Sequence, residues 1–189
     1  MIALSRIRLI FPHLFVSLMA FYSSAVSATS QVVDLPSYNK LQAAYITNIA
    51  KYVEWPTEAN IGPLRLCIFD DGDDLFNLLK ESVTTKSIKG RNVSVELLNG
   101  LEAEHVQTHC DLIYLNKQPD SNVINAVRMK NNGVHPALWV ASPSIEAPLD
   151  AVIVLEMEKR RIVIFVNKSE LNRSDFKVLS SLLSIARTR

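Results

Sequence analysis

The chain has 189 residues, 20 of them basic and 19 acidic, for a formal net charge of +1. That balance leaves no electrostatic footprint for nucleic acid, and no basic stripe with interleaved aromatics runs along the chain. A chain of this length can bury a substantial core as one domain, so stapling by metals or many disulfides is not required.

Residues 1–28 read as a secretory signal peptide. Arg6 and Arg8 form a short positive region, Leu9 to Ala20 is mostly apolar, and Val26-Ser27-Ala28 stand where a signal peptidase reads. An uncleaved membrane anchor is the alternative, which Pro12, His13 and Ser17 fit poorly because they interrupt the apolar run. No cysteine follows that run to carry a lipid, and no later segment approaches the ~20 apolar residues that span a bilayer. The expected product, cleaved near Ala28, is an exported soluble protein with a tether over 29–37 and a folded domain over 38–189.

Lys40 to Pro56, KLQAAYITNIAKYVEWP, predicts an amphipathic helix over about 38–54. Pro56 ends it, because proline lacks an N–H and disfavours helical backbone at Trp55. On a helical wheel Leu41, Tyr45, Ile46, Ile49, Tyr52 and Val53 share the inward arc, with Thr47, Lys51 and Glu54 opposite. Leu64 to Phe69 is a continuous apolar run of strand length, as in a strand buried on both faces. Asp70 to Asp73 make a turn, and Asp73 is placed to cap a helix through Leu75, Phe76, Leu78 and Leu79. A second strand is expected over Asn92–Leu98, then a short helix over Leu101–Gln107. The third strand is Asp111–Leu115, followed by a helix over about 121–131 and a fourth strand over Ala137–Ala141.

Pro143 and Pro148 bracket a loop. Ala151–Met157 and Arg161–Val166 predict an antiparallel hairpin around Glu158-Lys159-Arg160. A last helix is expected over about Asp175–Arg187, capped by Ser174, with Phe176, Leu179, Leu182, Leu183 and Ala186 inward. The alternation predicts an α/β fold: a single domain, mostly parallel sheet with helices on both faces, and a C-terminal antiparallel hairpin plus helix.

Cys67 and Cys110 are the only cysteines. In an oxidising compartment two well-separated cysteines are most simply a disulfide; the alternative is two buried thiols acting as small apolar groups. In a sheet of order 2-1-3 the first and third strands are neighbours. Their spacing of ~4.8 Å brings these cysteines within bridging range.

Each candidate for chemistry has an ordinary explanation beside it. His105 and His109, four apart with Cys110 adjacent, have metal-ligand spacing but no evident third ligand, so a solvated loop explains them. Asp70, Asp71, Asp73 and Asp74 cluster at the carboxyl end of the first strand, where α/β sheets bind ligands. A turn leading into a helix N-terminus also favours acidic residues, and a calcium loop needs more oxygen ligands in a set pattern. Lys159-Arg160-Arg161 is a normal charged hairpin tip. Trp55 and Trp139 read as core or half-buried, Trp55 being the more interesting because it stands at a helix end. No nucleophile elbow, phosphate loop or dinucleotide fingerprint is present, and no catalytic, cofactor or metal residues are assigned.

The segments AAYITNIAKYVEWP, LRLCIF, HCDLIYL, IFVN and FKVLSSLLSIA, in this order and spacing from Lys40 to Ala186, resemble the YfiR family. Asn48 and Lys51 ahead of Glu54-Trp55-Pro56, and Asn167 spaced from the last segment, are the most specific pieces. The resemblance implies a periplasmic α/β domain that represses an inner-membrane diguanylate cyclase by binding its periplasmic region. Cyclic-di-GMP and biofilm formation fall as a result. It also implies an outer-membrane partner that can sequester the repressor, and Cys67 and Cys110 match the cysteine pair taken to stabilise the fold. A second cysteine pair found in some members is absent, and Asp150-Ala151 stand where the family has Gly-Gly. The expected function is therefore a non-catalytic regulator with no cofactor. Lys51, Glu54 and Trp55 form its expected partner-binding surface, where polar and aromatic groups meet, and a homodimer is left open. The alternative is a periplasmic small-ligand sensor coupled to another membrane receptor, and the third class is a hydrolase using His105 or His109.

Overall fold

The apolar runs do form the centre of the sheet. The structure, a computed structural model, describes residues 35–56, 62–102, 109–130, 137–146, 151–159 and 161–189. The expected signal peptide and most of the tether lie outside them. Among the described residues no helix is long and apolar enough to cross a membrane.

In chain order the elements are α1 (Leu35–Lys51), β1 (Val53–Glu54), β2 (Leu64–Phe69), α2 (Asp74–Val83), β3 (Ser87–Ile88) and β4 (Arg91–Leu98). Then come β5 (Leu112–Leu115), α3 (Ser121–Lys130), β6 (Leu138–Ala141), β7 (Ile153–Glu158) and β8 (Arg161–Val166). The chain closes with α4 (Lys168–Leu171), β9 (Lys177–Val178), α5 (Ser180–Leu183) and β10 (Arg187–Thr188). Eight strands form one sheet in the order β10-β8-β7-β6-β5-β2-β4-β3, and β1 and β9 form a separate ribbon. Strands β4, β2, β5, β6 and β7 are mutually parallel. The hairpin β7–β8 and the pair β3–β4 are antiparallel. The expected 2-1-3 order is therefore present, and the fold is the mixed α/β domain with a mostly parallel sheet.

Strand alternation sorts the side chains between two cores. Leu64, Leu66, Ile68, Leu112, Tyr114, Leu138, Val140, Ile153 and Leu155 join the core that α1 and α2 cover. Cys67, Phe69, Ile113, Leu115 and Trp139 face the other side, where Ile124 of α3 and Leu101 pack. Burial on both faces explains why these strands read as unbroken apolar runs.

Five expectations about elements need correction. Helix α1 begins at Leu35, inside the expected tether, and ends at Lys51 rather than near Glu54. Val53 and Glu54 leave it to pair with Val178 and Lys177, and the Tyr52 carbonyl accepts from the Leu179 N–H at 2.9 Å. The buried arc of α1 is also rotated from the wheel. Leu41 is 40% exposed, whereas Ala43 and Thr47 are buried. Their small size lets α2 approach on that side, and the Thr47 hydroxyl is satisfied by the Ala43 carbonyl at 2.8 Å.

The long last helix is absent. Residues 177–178 are strand, α5 is a single turn, and Ile185 is 68% exposed. The alternation across Asp175-Phe176-Lys177-Val178, out-in-out-in, is the strand period. Phe176 and Val178 are buried there, and Lys177 and Val178 pair with β1. Ser174 does not cap a helix start: its hydroxyl donates to the Leu171 carbonyl at 2.6 Å, closing α4. Asp73 stands at the N-cap of α2 but its side chain makes no capping bond. The expected short helix over 101–107 falls mostly outside the described residues.

Candidate functional site

The carboxyl end of α1 brings together the residues expected to meet a partner. Lys51 is exposed and its Nζ donates to Asn48 Oδ1 at 3.4 Å. Both line a groove of about 620 Å³ between α1 and α2, with Lys40, Thr47, Glu81 and Lys86 also on its walls. Three lysines against one glutamate make this groove net positive. Glu54 is exposed on β1 and lies opposite Lys177 of β9 in register.

Trp55 differs. It is 8% exposed, with its ring 6.2 Å from that of Phe176. Its indole N–H is buried with no hydrogen-bond partner among the described residues. Its role in this surface is support from beneath, and Lys51 and Glu54 are the side chains that reach solvent.

The carboxyl ends of β2 and β5 mark the point where the strand order reverses, the usual ligand position in doubly wound sheets. Here α1 occupies that position. Gln42 is fully buried and its Nε2 donates to Asn116 Oδ1 at 3.1 Å. Asn116 Nδ2 in turn donates to Asp70 Oδ2 at 2.8 Å. Lys117 forms a salt bridge with Asp71, so part of the acidic cluster is neutralised by the chain itself. Among the described residues Gln42 Oε1 has no hydrogen-bond partner, and the buried Tyr114 hydroxyl has none of normal geometry, Ser142 being the polar side chain nearest in effect. Burial pushes the Tyr114 phenol well above its ordinary value, Tyr38 and Asp70 act in the same direction, and Ser142 opposes them.

At the opposite end of the sheet, Cys67 and Cys110 form the disulfide, with Cα atoms 5.8 Å apart. Beside it stands an arrangement that the sequence reading missed. Asp111, 4% exposed, accepts from Arg65 Nη2 at 2.8 Å and from Arg91 Nη2 at 3.0 Å. Asp111 also accepts from the Arg65 backbone N–H at 2.8 Å, and Arg91 Nη2 reaches the Pro63 carbonyl at 2.8 Å. A buried carboxylate needs such pairing. The signal was present, since a lone Asp opening an apolar strand has to find a partner. Asn167 is the second residue of this kind: its Oδ1 accepts from the Ser169 and Glu170 N–H groups and caps α4.

His109 is exposed, and His105 lies outside the described residues. Among the described residues no group of three His, Cys, Asp or Glu side chains is placed to hold a metal. The Lys159 tip carries φ +44° at the turn of the β7–β8 hairpin, and Glu158 there pairs with Arg187 at 2.6 Å.

No curated protein matches the chain significantly. The profile of the YfiR/HmsC-like family matches residues 39–187, which span both cores, the disulfide and the Lys51 groove. The chain belongs to the YfiR/HmsC-like family.

Proposed function

We propose that this protein is a non-catalytic periplasmic regulator that binds the periplasmic region of an inner-membrane diguanylate cyclase and represses it. Family membership over residues 39–187 carries the reading, because the family is periplasmic and regulatory rather than catalytic. In this reading residues 1–28 direct export and are removed near Ala28, and an outer-membrane partner sequesters the protein when repression is lifted. Repression requires tighter binding to the inactive than to the active cyclase conformation, by a factor that sets the population shift. The partner surface is the Lys51 end of α1, with Glu54 beside it and Trp55 holding the backbone beneath.

The test is reconstitution of the purified protein with a membrane diguanylate cyclase that has a periplasmic region, measuring binding and cyclic-di-GMP formation together. Wild-type protein should lower product formation. Lys51→Glu should weaken binding about tenfold without changing the melting temperature, the size expected for one interface charge. A cyclase indifferent to saturating wild-type protein sinks the function. Unchanged affinity of the Lys51→Glu and Glu54→Lys variants sinks the surface.

The small-ligand reading has one observation behind it: Gln42 Oε1, buried at the switch point and without a hydrogen-bond partner among the described residues. A ligand there has to displace Gln42 and the helix that carries it.

A further inference from the structure

The groove beside Lys51 has a helical period along both of its walls. On α1 its lining follows Lys40, Ala44, Thr47 and Lys51, spaced i, i+4, i+7 and i+11. These positions make a single stripe, and three turns separate the two lysines by about 16 Å. On α2 the wall carries Leu78 and Ser82, one turn apart, with Glu81 beside them and Lys86 beyond the helix end. Ala43 and Thr47 are buried at the floor, whereas Ala44 is exposed.

The floor makes no demand for a polar ligand. The Thr47 hydroxyl donates to the Ala43 carbonyl at 2.8 Å, and the Ser82 hydroxyl donates to the Leu79 carbonyl, also at 2.8 Å. Both hydroxyl protons are therefore spent within their own helices. A small anion would meet only flexible lysine heads. The charge stands at the margins: Lys40, Lys51 and Lys86 form no ion pair among the described residues, and Glu81 is the single acid on the lining. Positive charges at two ends of a stripe of small side chains match a helix better than an ion. Small facing residues let a second helix approach to the near end of the usual range of about 8–10 Å between axes. A helix laid in such a groove is read through anchors at helical spacing.

We propose that the groove between α1 and α2 docks an acidic amphipathic helix of the partner, lying along α1 with carboxylates opposite Lys40 and Lys51. The inference rests on the regulatory reading and adds to it the chemistry of the segment that is bound. The two carboxylates stand three turns apart on that helix, and short side chains between them face Ala44 and Thr47. Lys86 on the other wall takes a further acid, away from Glu81. These ion pairs are solvent-exposed, so they set orientation and association rate, and binding weakens with salt.

Two titrations of the mature protein test this. The first probe is a synthetic helix with Glu at two anchor positions three turns apart and Ala on the face between them, followed by fluorescence anisotropy. A twin with Lys at both anchors is its control. The second probe is the purified periplasmic region of a membrane diguanylate cyclase, with repression of the intact cyclase measured in parallel. The Glu helix should bind and its Lys twin should not. Lys40→Glu and Lys86→Glu should each weaken binding of both probes about five- to tenfold. Ala44→Trp, which fills the stripe, should abolish it, and Lys80→Glu, outside the groove, should change nothing. All four positions are exposed, so these variants keep the fold. Equal binding of the two helices overturns the proposal. So does a cyclase region that binds Lys40→Glu and Ala44→Trp as tightly as wild type, and repression then survives without the groove. Wild type that binds the Glu helix but leaves the cyclase unrepressed supports the groove and sinks only the regulatory reading. Binding to vesicles of anionic phospholipid through Lys40 and Lys86, without binding of the Glu helix, assigns the charge to a membrane and overturns the dock.

Discussion

Tyr114 shows how one buried polar side chain couples stability to pH. Its hydroxyl sits in the α1-covered core without a hydrogen-bond partner of normal geometry. Burial raises its pKa well above the ordinary value. The folded state therefore holds the neutral phenol, while the unfolded chain ionises near its reference value of about 10. The contribution of this group is fully present below about pH 10 and is lost as pH rises beyond it. Urea midpoints should fall steeply above that pH in wild type, and Tyr114→Phe should flatten the fall. Parallel alkaline profiles for the two proteins would contradict the assignment. Asp111 illustrates the opposite solution, a buried carboxylate surrounded by donors from two arginines and one backbone N–H. Both residues were legible as apolar-strand members. Neither partner set was, because Arg65, Arg91 and Ser142 stand in other strands or loops and meet these groups only when the sheet forms.

At the scale of elements, the ribbon of β1 and β9 ties the end of α1 to the C-terminal segment. Four residues form it, and Trp55 against Phe176 supplies its apolar anchor. Trp55→Ala should cost about 3 to 5 kcal/mol, the range for removing a buried large aromatic side chain. Lys51→Glu, on the exposed face of the same region, should stay within about 0.5 kcal/mol of wild type. Chemical denaturation of both variants separates the roles: a loss under about 1 kcal/mol for Trp55→Ala means that the ring does not anchor the ribbon. The sequence pattern placed the long strands within a residue or two, because burial on both faces leaves an unmistakable apolar run. It failed at the C-terminus, where four residues of strand period sit inside a longer stretch that also fits a helix. Propensity there favours helix, and the pairing with Val53–Glu54 decides for strand. Burial on α1 was misread for a similar reason. Hydrophobicity points Leu41 inward, but the neighbour α2 selects the small residues Ala43 and Thr47.

At the scale of the molecule, the disulfide joins β2 to the segment that leads into the adjacent strand β5, its cysteines 43 residues apart in sequence. Closing a loop of that length stabilises by about 4 kcal/mol on the chain-entropy account. For a domain of this size Cys67→Ser should lower the melting temperature by roughly 10 °C. A melting curve superimposable on wild type, or one unmoved by reductant, would deny the bridge that role. Two cores lie on the two faces of β2 and β5, and the bridge and the Asp111 cluster hold the same end of these strands. The opposite end is covered by Gln42 of α1. The groove beside Lys51 lies between α1 and α2.

Residue order alone indicated the α/β class and the order of the long strands, and it made a bridge between Cys67 and Cys110 the simplest reading. These depend on local periodicity and on a topology that few alternatives satisfy. Tertiary structure decided which face of α1 is buried, that Trp55 is core, and that the chain after Ser174 is a ribbon and a single turn. Each of these is set by a neighbour distant in sequence, whose approach changes the balance between exposure, packing and hydrogen bonding at that position.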